Sequence, residues 1–141
     1  MPRPMSSPYR TMEITLPNLA AFFEDLKQDS DAVKIVEQMQ WAVHDPDVRI
    51  YAAYYDNRPV AVIGILQDVY LRFIVVREPH RRKGVGRSLV EKYAQHVKGI
   101  TVDKSDTGCQ MFFRKVGWVD YEAMQLDQLD QLAMIRGDFL A

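Results

Sequence analysis

Leu71-Arg72-Phe73-Ile74-Val75-Val76-Arg77-Glu78-Pro79-His80-Arg81-Arg82-Lys83-Gly84-Val85-Gly86-Arg87-Ser88-Leu89-Val90 runs as an apolar strand, a basic glycine loop and the start of an amphipathic helix. Without a Cβ, Gly84 and Gly86 let the backbone approach a ligand closely, and the loop amides with the helix start aim partial positive charge at one spot. The flanking arginines and lysine add full charges. Such a junction suits a diphosphate. Two competing phosphate motifs fail letter by letter. A Walker loop needs Gly-Lys followed by Ser or Thr, where this chain has Gly86-Arg87-Ser88, and a dinucleotide fingerprint needs a third glycine where it has Leu89.

Working outward, the chain alternates β-rich and helical patterns. Met12, Ile14 and Leu16 alternate with polar residues as a first strand would, ended by Pro17. Leu19 to Leu26 reads as a helix. After the capping pair Asp29-Ser30, Ala32, Ile35, Val36, Met39 and Val43 fall on one face of a second helix. Val48 to Tyr55 and Pro59 to Leu66, separated by Asp56-Asn57-Arg58, read as a hairpin, and Val69 to Val76 as the next strand. A helix from about Gly86 carries Leu89, Val90, Tyr93, Ala94 and Val97 inward and stops at Gly99. Ile100 to Asp103 then forms a short strand, parallel to its predecessor if the helix is a crossover. A last helix, capped by Ser105 or Asp106, turns Cys109, Phe112, Phe113 and Val116 to the core. In Val119 to Ala141, the spacing of Leu126, Leu129 and Leu132 predicts a helix packed on its own domain.

Composition sets outer bounds. The 141 residues fit one domain able to bury a core. With a formal charge of -1 there is no general pull toward nucleic acid, so the basic charge is local. Cys109 is the only cysteine, which makes an internal disulfide impossible and favours a reducing compartment. No apolar run reaches the length of a membrane span. The proline-rich start lacks a signal-peptide hydrophobic region, so a loose tail on a cytoplasmic protein is expected.

Arg81-x-x-Gly84-x-Gly86 between strand and helix, with Cys109-Gln110-Met111-Phe112-Phe113-Arg114-Lys115-Val116-Gly117-Trp118 downstream, resembles the acetyl-CoA loop and the last motif of the GNAT family of N-acetyltransferases. The resemblance implies an α/β (α+β) fold, a mixed and mostly antiparallel sheet with helices on both faces. It divides the chain into a flexible tail (1–11), a GNAT domain (12–126) and a C-terminal extension (127–141). It also implies acetyl-CoA as substrate or ligand, and an amine acceptor or a partner protein in place of nucleic acid or membrane. Backbone amides around Ile74, Val75 and Val76 would hold the thioester carbonyl. His80, Arg81, Arg82, Lys83, Gly84, Val85, Gly86, Arg87 and Ser88 would meet the phosphates, with Asp106 where many members place a CoA-contacting asparagine.

The family's usual general acid is a tyrosine four residues before the glycine of the last motif. Here that position is Phe113, which can pack on pantetheine but cannot give a proton. The catalytic residues are therefore left unassigned. Asp68, Glu78, Asp103 and Asp106 are the carboxylates nearest in sequence, and Tyr51, Tyr54, Tyr55 and Tyr70 are strand tyrosines that either pack or substitute as acid. His44 and His96 sit near predicted helix ends without metal-ligand spacing, and Cys109 reads as core. A narrower resemblance comes from Arg49-Ile50-Tyr51-Ala52-Ala53 before an Asn-containing turn, and from Val76-Arg77-Glu78 before Arg81-Arg82-x-Gly84-Val85-Gly86. These are similar to the small GNAT-fold regulators that activate maturation of aspartate 1-decarboxylase, which also lack the tyrosine. An N-acetyltransferase and an acetyl-CoA sensor are thus both open.

Overall fold

A computed structural model of the chain describes residues 8–33, 35–36, 39, 43–67, 70–95, 97, 99–103, 107–120 and 131–136. Its frame is a seven-stranded sheet in the order β1-β2-β3-β4-β5-β7-β6, with β1 at Arg10–Glu13, β2 at Val48–Tyr55, β3 at Arg58–Leu66, β4 at Tyr70–Val76, β5 at Gly99–Asp103, β6 at Trp118–Asp120 and β7 at Gln131–Arg136. Every described pairing is antiparallel except β4 with β5.

The strands read as they do because both faces of the sheet are covered. On one face α1 (Leu16–Leu26) brings Phe22 and Leu26 onto Ala52, Tyr54, Val62, Phe73 and Val75, joined by Met39. On the other, α2 (Val85–Tyr93) and α3 (Thr107–Lys115) bring Leu89 and Phe113 onto Ala53, Ala61, Ile63, Ile65 and Leu71. Neighbours such as Val62 and Ile63 thus serve opposite cores. This is why β3 is a continuous apolar run and does not alternate. Asp56 and Asn57, with φ of 50° and 64°, make the two-residue turn from β2 to β3, and β3 begins at Arg58.

Several boundaries differ from the sequence pattern. β1 ends at Glu13 because Thr15 caps α1, its side chain accepting from the Asn18 amide, and this draws Leu16 and Pro17 into the first helical turn. In the expected second helix, residues 32–33, 35–36 and 39 are helical, while Val43 lies in a turn. α2 stops at Tyr93, short of Gly99, which opens β5. The caps Ser105 and Asp106 lie outside the described residues.

The largest correction concerns the C-terminal extension. Residues 131–136 are a strand, not a helix, and they lie inside the sheet, so the domain continues past 126. β7 pairs with β5 from Gly99↔Ile135 to Asp103↔Gln131 and with β6 from Trp118↔Arg136 to Asp120↔Met134. Satisfying two strand edges at once, with Met134 fully buried, outweighs the leucine spacing, of which Leu126 and Leu129 lie outside the described residues.

Candidate active site

The site begins where two strands part. β4 and β5 pair only at Tyr70↔Gly99 and Leu71↔Ile100, whereas β4 stays on β3 as far as Ala61↔Val76. Beyond Leu71 the β5-facing edge of β4 therefore has no described strand partner. The Arg77 amide donates to the Val60 carbonyl at 2.9 Å, so by strand alternation Val75 also turns its backbone groups to β3. Ile74 and Val76 turn theirs to the gap. Arg81 Nε donates to the Val76 carbonyl at 2.8 Å, which agrees with that orientation. Of the three expected amide donors, Ile74 and Val76 have the right orientation and Val75 is committed to the sheet.

The loop after β4 has two parts. A short 3-10 turn, Glu78–His80, leads into Arg82 and Gly84, whose φ values are 63° and 79°. Gly84 is the N-cap of α2, and the first helical bond across this junction runs from Ser88 N–H to Gly84 C=O at 3.0 Å. The amides of residues 82–87 thus have no hydrogen-bond acceptor among the described residues, and the left-handed residues curl them into a concavity at a helix N-terminus. A Cβ on Gly84 would meet nothing within 4 Å, so its glycine serves the positive φ. A Cβ on Gly86 would sit 3.4 Å from both the Phe112 ring and Val76 Cγ2. A methyl there would be in ordinary van der Waals contact with α3 and β4, so packing alone does not require this glycine.

The charges divide in the same way. Arg77 Nη2 donates to Asp29 Oδ1 at 2.8 Å, the Glu78 amide donates to Asp29 Oδ2 at 2.9 Å, and the Ser30 amide and hydroxyl both donate to Glu78. Arg81 Nη2 donates to both carboxylate oxygens of Asp31, at 3.1 and 2.9 Å. His80 Nδ1 is 3.0 Å from the Tyr9 hydroxyl, and its ring packs against Tyr9 and Tyr55. Arg87 pairs with Glu91 on the surface of α2. Arg82 and Lys83 are exposed and have no hydrogen bond or ion pair among the described residues. Hydrogen bonds from Ser30 hold the Glu78 carboxyl below its usual range, burial followed by the Lys83 and Arg77 charges lowers His80, and burial with Tyr55 raises Tyr9. A small concavity on the β1 side of the loop is lined by Tyr9, Thr11, Ala53, Lys83, Gly84, Val85 and Ser88. It lies apart from the β4–β5 gap.

Phe113 is placed differently from the expectation. It is 0% exposed, with its ring centroid 5.1 Å from Phe112 and 5.5 Å from Trp118, and so belongs to the core. Its neighbour Phe112, half-buried beside Gly86 and Val76, is the aromatic next to the loop. The sequence offered only adjacency for that choice, since both residues carry the same ring. Tyr51 stacks on Tyr93 at 4.1 Å, Tyr54 accepts from Asn18 Nδ2 at 3.1 Å, and Tyr55 joins the Tyr9–His80 group. Glu78 is engaged by Ser30. His44 is exposed and remote in sequence from the loop. Asp68, His96 and Asp106 lie outside the described residues, as do the side chains of Tyr70, Asp103 and Cys109. Among the described residues no cluster of His, Cys, Asp or Glu could hold a metal ion, and no helix is long and apolar enough to cross a membrane.

Solved structures share this architecture at low identity. A GNAT-family acetyltransferase from Staphylococcus aureus Mu50 superposes with a TM-score of 0.63 and 15% identity, covering 91% of this chain and 98% of that one. The PaiA N-acetyltransferase of Thermoplasma acidophilum, in complex with coenzyme A, gives 0.66 and 11% over 91% and 98%. The ribosomal-protein-S18-alanine N-acetyltransferase of Escherichia coli gives 0.62 and 13% over 91% and 92%. No curated protein sequence matches the chain. The acetyltransferase (GNAT) domain model matches residues 20–128, spanning the strand gap, the glycine loop and the last motif, and the chain belongs to the GNAT acetyltransferase family.

Proposed function

We propose that the protein binds acetyl-CoA and transfers its acetyl group to an amine. The observation that carries this reading is the coincidence of the β4–β5 gap with a concavity of unpaired amides one loop away. The Ile74 and Val76 backbone groups face the gap, and residues 82–87 offer amides beside Arg82 and Lys83. Diphosphate at the concavity would gain backbone donors and two uncommitted cations, and the thioester carbonyl would accept from strand amides. These donors act again on the oxyanion that forms when the amine attacks, commonly a large part of acyl-transfer catalysis. The ammonium first gives up a proton, the amine then forms the C–N bond to give the oxyanion, and collapse breaks the C–S bond while the nitrogen loses a second proton and the departing thiolate takes one. Every step but those proton transfers has a described donor. Acetyl-CoA at about 100-fold over its dissociation constant should stabilise the fold by about 2.7 kcal/mol. A thermal shift no larger than that from inorganic phosphate overturns the reading.

A specific observation keeps the second reading, an acetyl-CoA sensor that regulates a partner protein of the aspartate 1-decarboxylase type. The tyrosine-acid position is a phenylalanine at full burial; of the described strand tyrosines, Tyr54 has its hydroxyl engaged by Asn18, Tyr51 stacks on Tyr93, and Tyr55 packs on Tyr9 and His80. Thiol release measured across amines, polyamines and peptide N-termini separates the two. Robust turnover selects the enzyme, and silence beside tight acetyl-CoA binding selects the sensor.

A further inference from the structure

We propose that Asp31, in the turn after α1, is a positioning residue for acyl-CoA that acts through Arg81 on Val76. The inference rests on the acyl-CoA reading of the loop. Arg81 is the obvious phosphate ligand by sequence, yet two of its guanidinium nitrogens are engaged within the chain: Nε on the Val76 carbonyl, Nη2 on both oxygens of Asp31. Asp31 holds the single nitrogen Nη2, and because the guanidinium is rigid and planar, anchoring that nitrogen orients the Nε–H toward Val76. Val76 is the last residue of β4 and one of the two that face the gap. The peptide bond after it is held from opposite sides, by Arg81 on its carbonyl and by the Val60 carbonyl on its Arg77 amide. Asp31 therefore stands at the head of a chain that runs from the α1 side of the molecule to the backbone at the thioester position. Its neighbours Asp29 and Ser30 grip Arg77 and Glu78 in the same turn, so the whole exit of β4 is clasped by three consecutive residues.

The Arg81–Asp31 pair is 36% and 42% exposed, and ion pairs so open to water contribute little to stability. Its loss should therefore appear in ligand affinity while the fold survives. The test is a double-mutant cycle by calorimetry with acetyl-CoA, on wild type, Asp31→Asn, Arg81→Ala and the double variant. Asp31→Asn should weaken binding about five- to twentyfold in the wild-type background and leave it unchanged in the Arg81→Ala background, and Asp31→Glu should recover part of the loss. Near-ultraviolet circular dichroism and the melting temperature should stay at their wild-type values for Asp31→Asn. If wild type itself fails to bind acetyl-CoA, the functional reading falls and this proposal with it. Wild-type binding with no loss in Asp31→Asn, or losses that simply add in the double variant, overturns the positioning role alone. Tighter binding by Asp31→Asn also overturns it, since Asp31 would then be competing with the ligand for Arg81.

Discussion

The loop after β4 has an entry and a tip of opposite character. In residues 77–81, Arg77, Glu78, His80 and Arg81 are each bound to another part of the chain: Asp29, Ser30, Tyr9, and Asp31 with Val76. In residues 82–87, the amides and the side chains of Arg82 and Lys83 have no partner among the described residues. The run His80-Arg81-Arg82-Lys83-Gly84 looks uniform in sequence. In the fold, its first part is scaffold, and its second part has no partner among the described residues. Variants of the buried Arg77–Asp29 end of the entry should therefore lose stability, whereas variants of the tip, like those of the half-exposed Arg81–Asp31 pair, should lose affinity.

The largest effect is expected at the entry. Asp29 is 3% exposed and Arg77 13%, and among the described residues the buried Arg77 Nε has no hydrogen-bond partner. Asp29→Ala would strand the guanidinium in the interior, which typically costs about 3–5 kcal/mol. Urea unfolding should show a lower midpoint at similar slope. A loss below about 1 kcal/mol would mean that the entry is not scaffold.

Phe113 comes next, and it shows where the sequence ran out. Phe113→Tyr would restore the family's hydroxyl in sequence, but the ring is 0% exposed between Phe112 and Trp118. A buried hydroxyl without a partner costs about 1–3 kcal/mol, so the variant should lose stability and gain no thiol release. A rise in turnover would place this ring at the gap. The glycine loop, the crossover order and the two-faced sheet were legible because local pattern determines them. Gly84 has to adopt positive φ, β3 is apolar throughout because two helical layers cover it, and Asp56-Asn57 suits its turn. The choice between Phe112 and Phe113 was not legible, because it depends on the rotation of α3 against β4. Nor was the role of Arg81, whose partner Asp31 lies fifty residues away in sequence. β7 was hidden for a third reason: its strand is stabilised by edges of β5 and β6 that exist only after folding.

At the tip, the double variant Arg82→Ala with Lys83→Ala should leave stability within about 0.5 kcal/mol, since both side chains are exposed and have no partner among the described residues. Affinity for acetyl-CoA should fall about ten- to a hundredfold, the scale of charge-assisted hydrogen bonds lost from a diphosphate. Calorimetry at two salt concentrations checks this, with a weaker salt dependence expected in the variant. Unchanged affinity would move the phosphates away from the tip.

The smallest effect tests the boundary between the two parts. His80 ends the 3-10 turn, with Nδ1 on the Tyr9 hydroxyl and its ring against Tyr9 and Tyr55. Burial, then the charges of Lys83 and Arg77, hold its pKa below the usual 6.5, while Asp29 opposes them weakly. A histidine lowered in the folded state binds fewer protons there than in the unfolded chain between the two pKa values, so stability rises with pH across that window. Its contribution is complete above 6.5 and lost as pH falls through 6.5 to the folded value. Glu78, lowered in the fold, adds its own loss only below its usual 4.5, so the two are separable by pH. Urea midpoints taken from pH 7.5 to pH 5 should decline slightly for wild type and stay flatter for His80→Gln. Diphosphate at the tip would add negative charge beside Lys83 and favour the protonated ring, so saturating acetyl-CoA should shift the wild-type decline to lower stability loss per pH unit. An identical slope in wild type and His80→Gln would mean that the Tyr9–His80 contact does not join the entry to its scaffold.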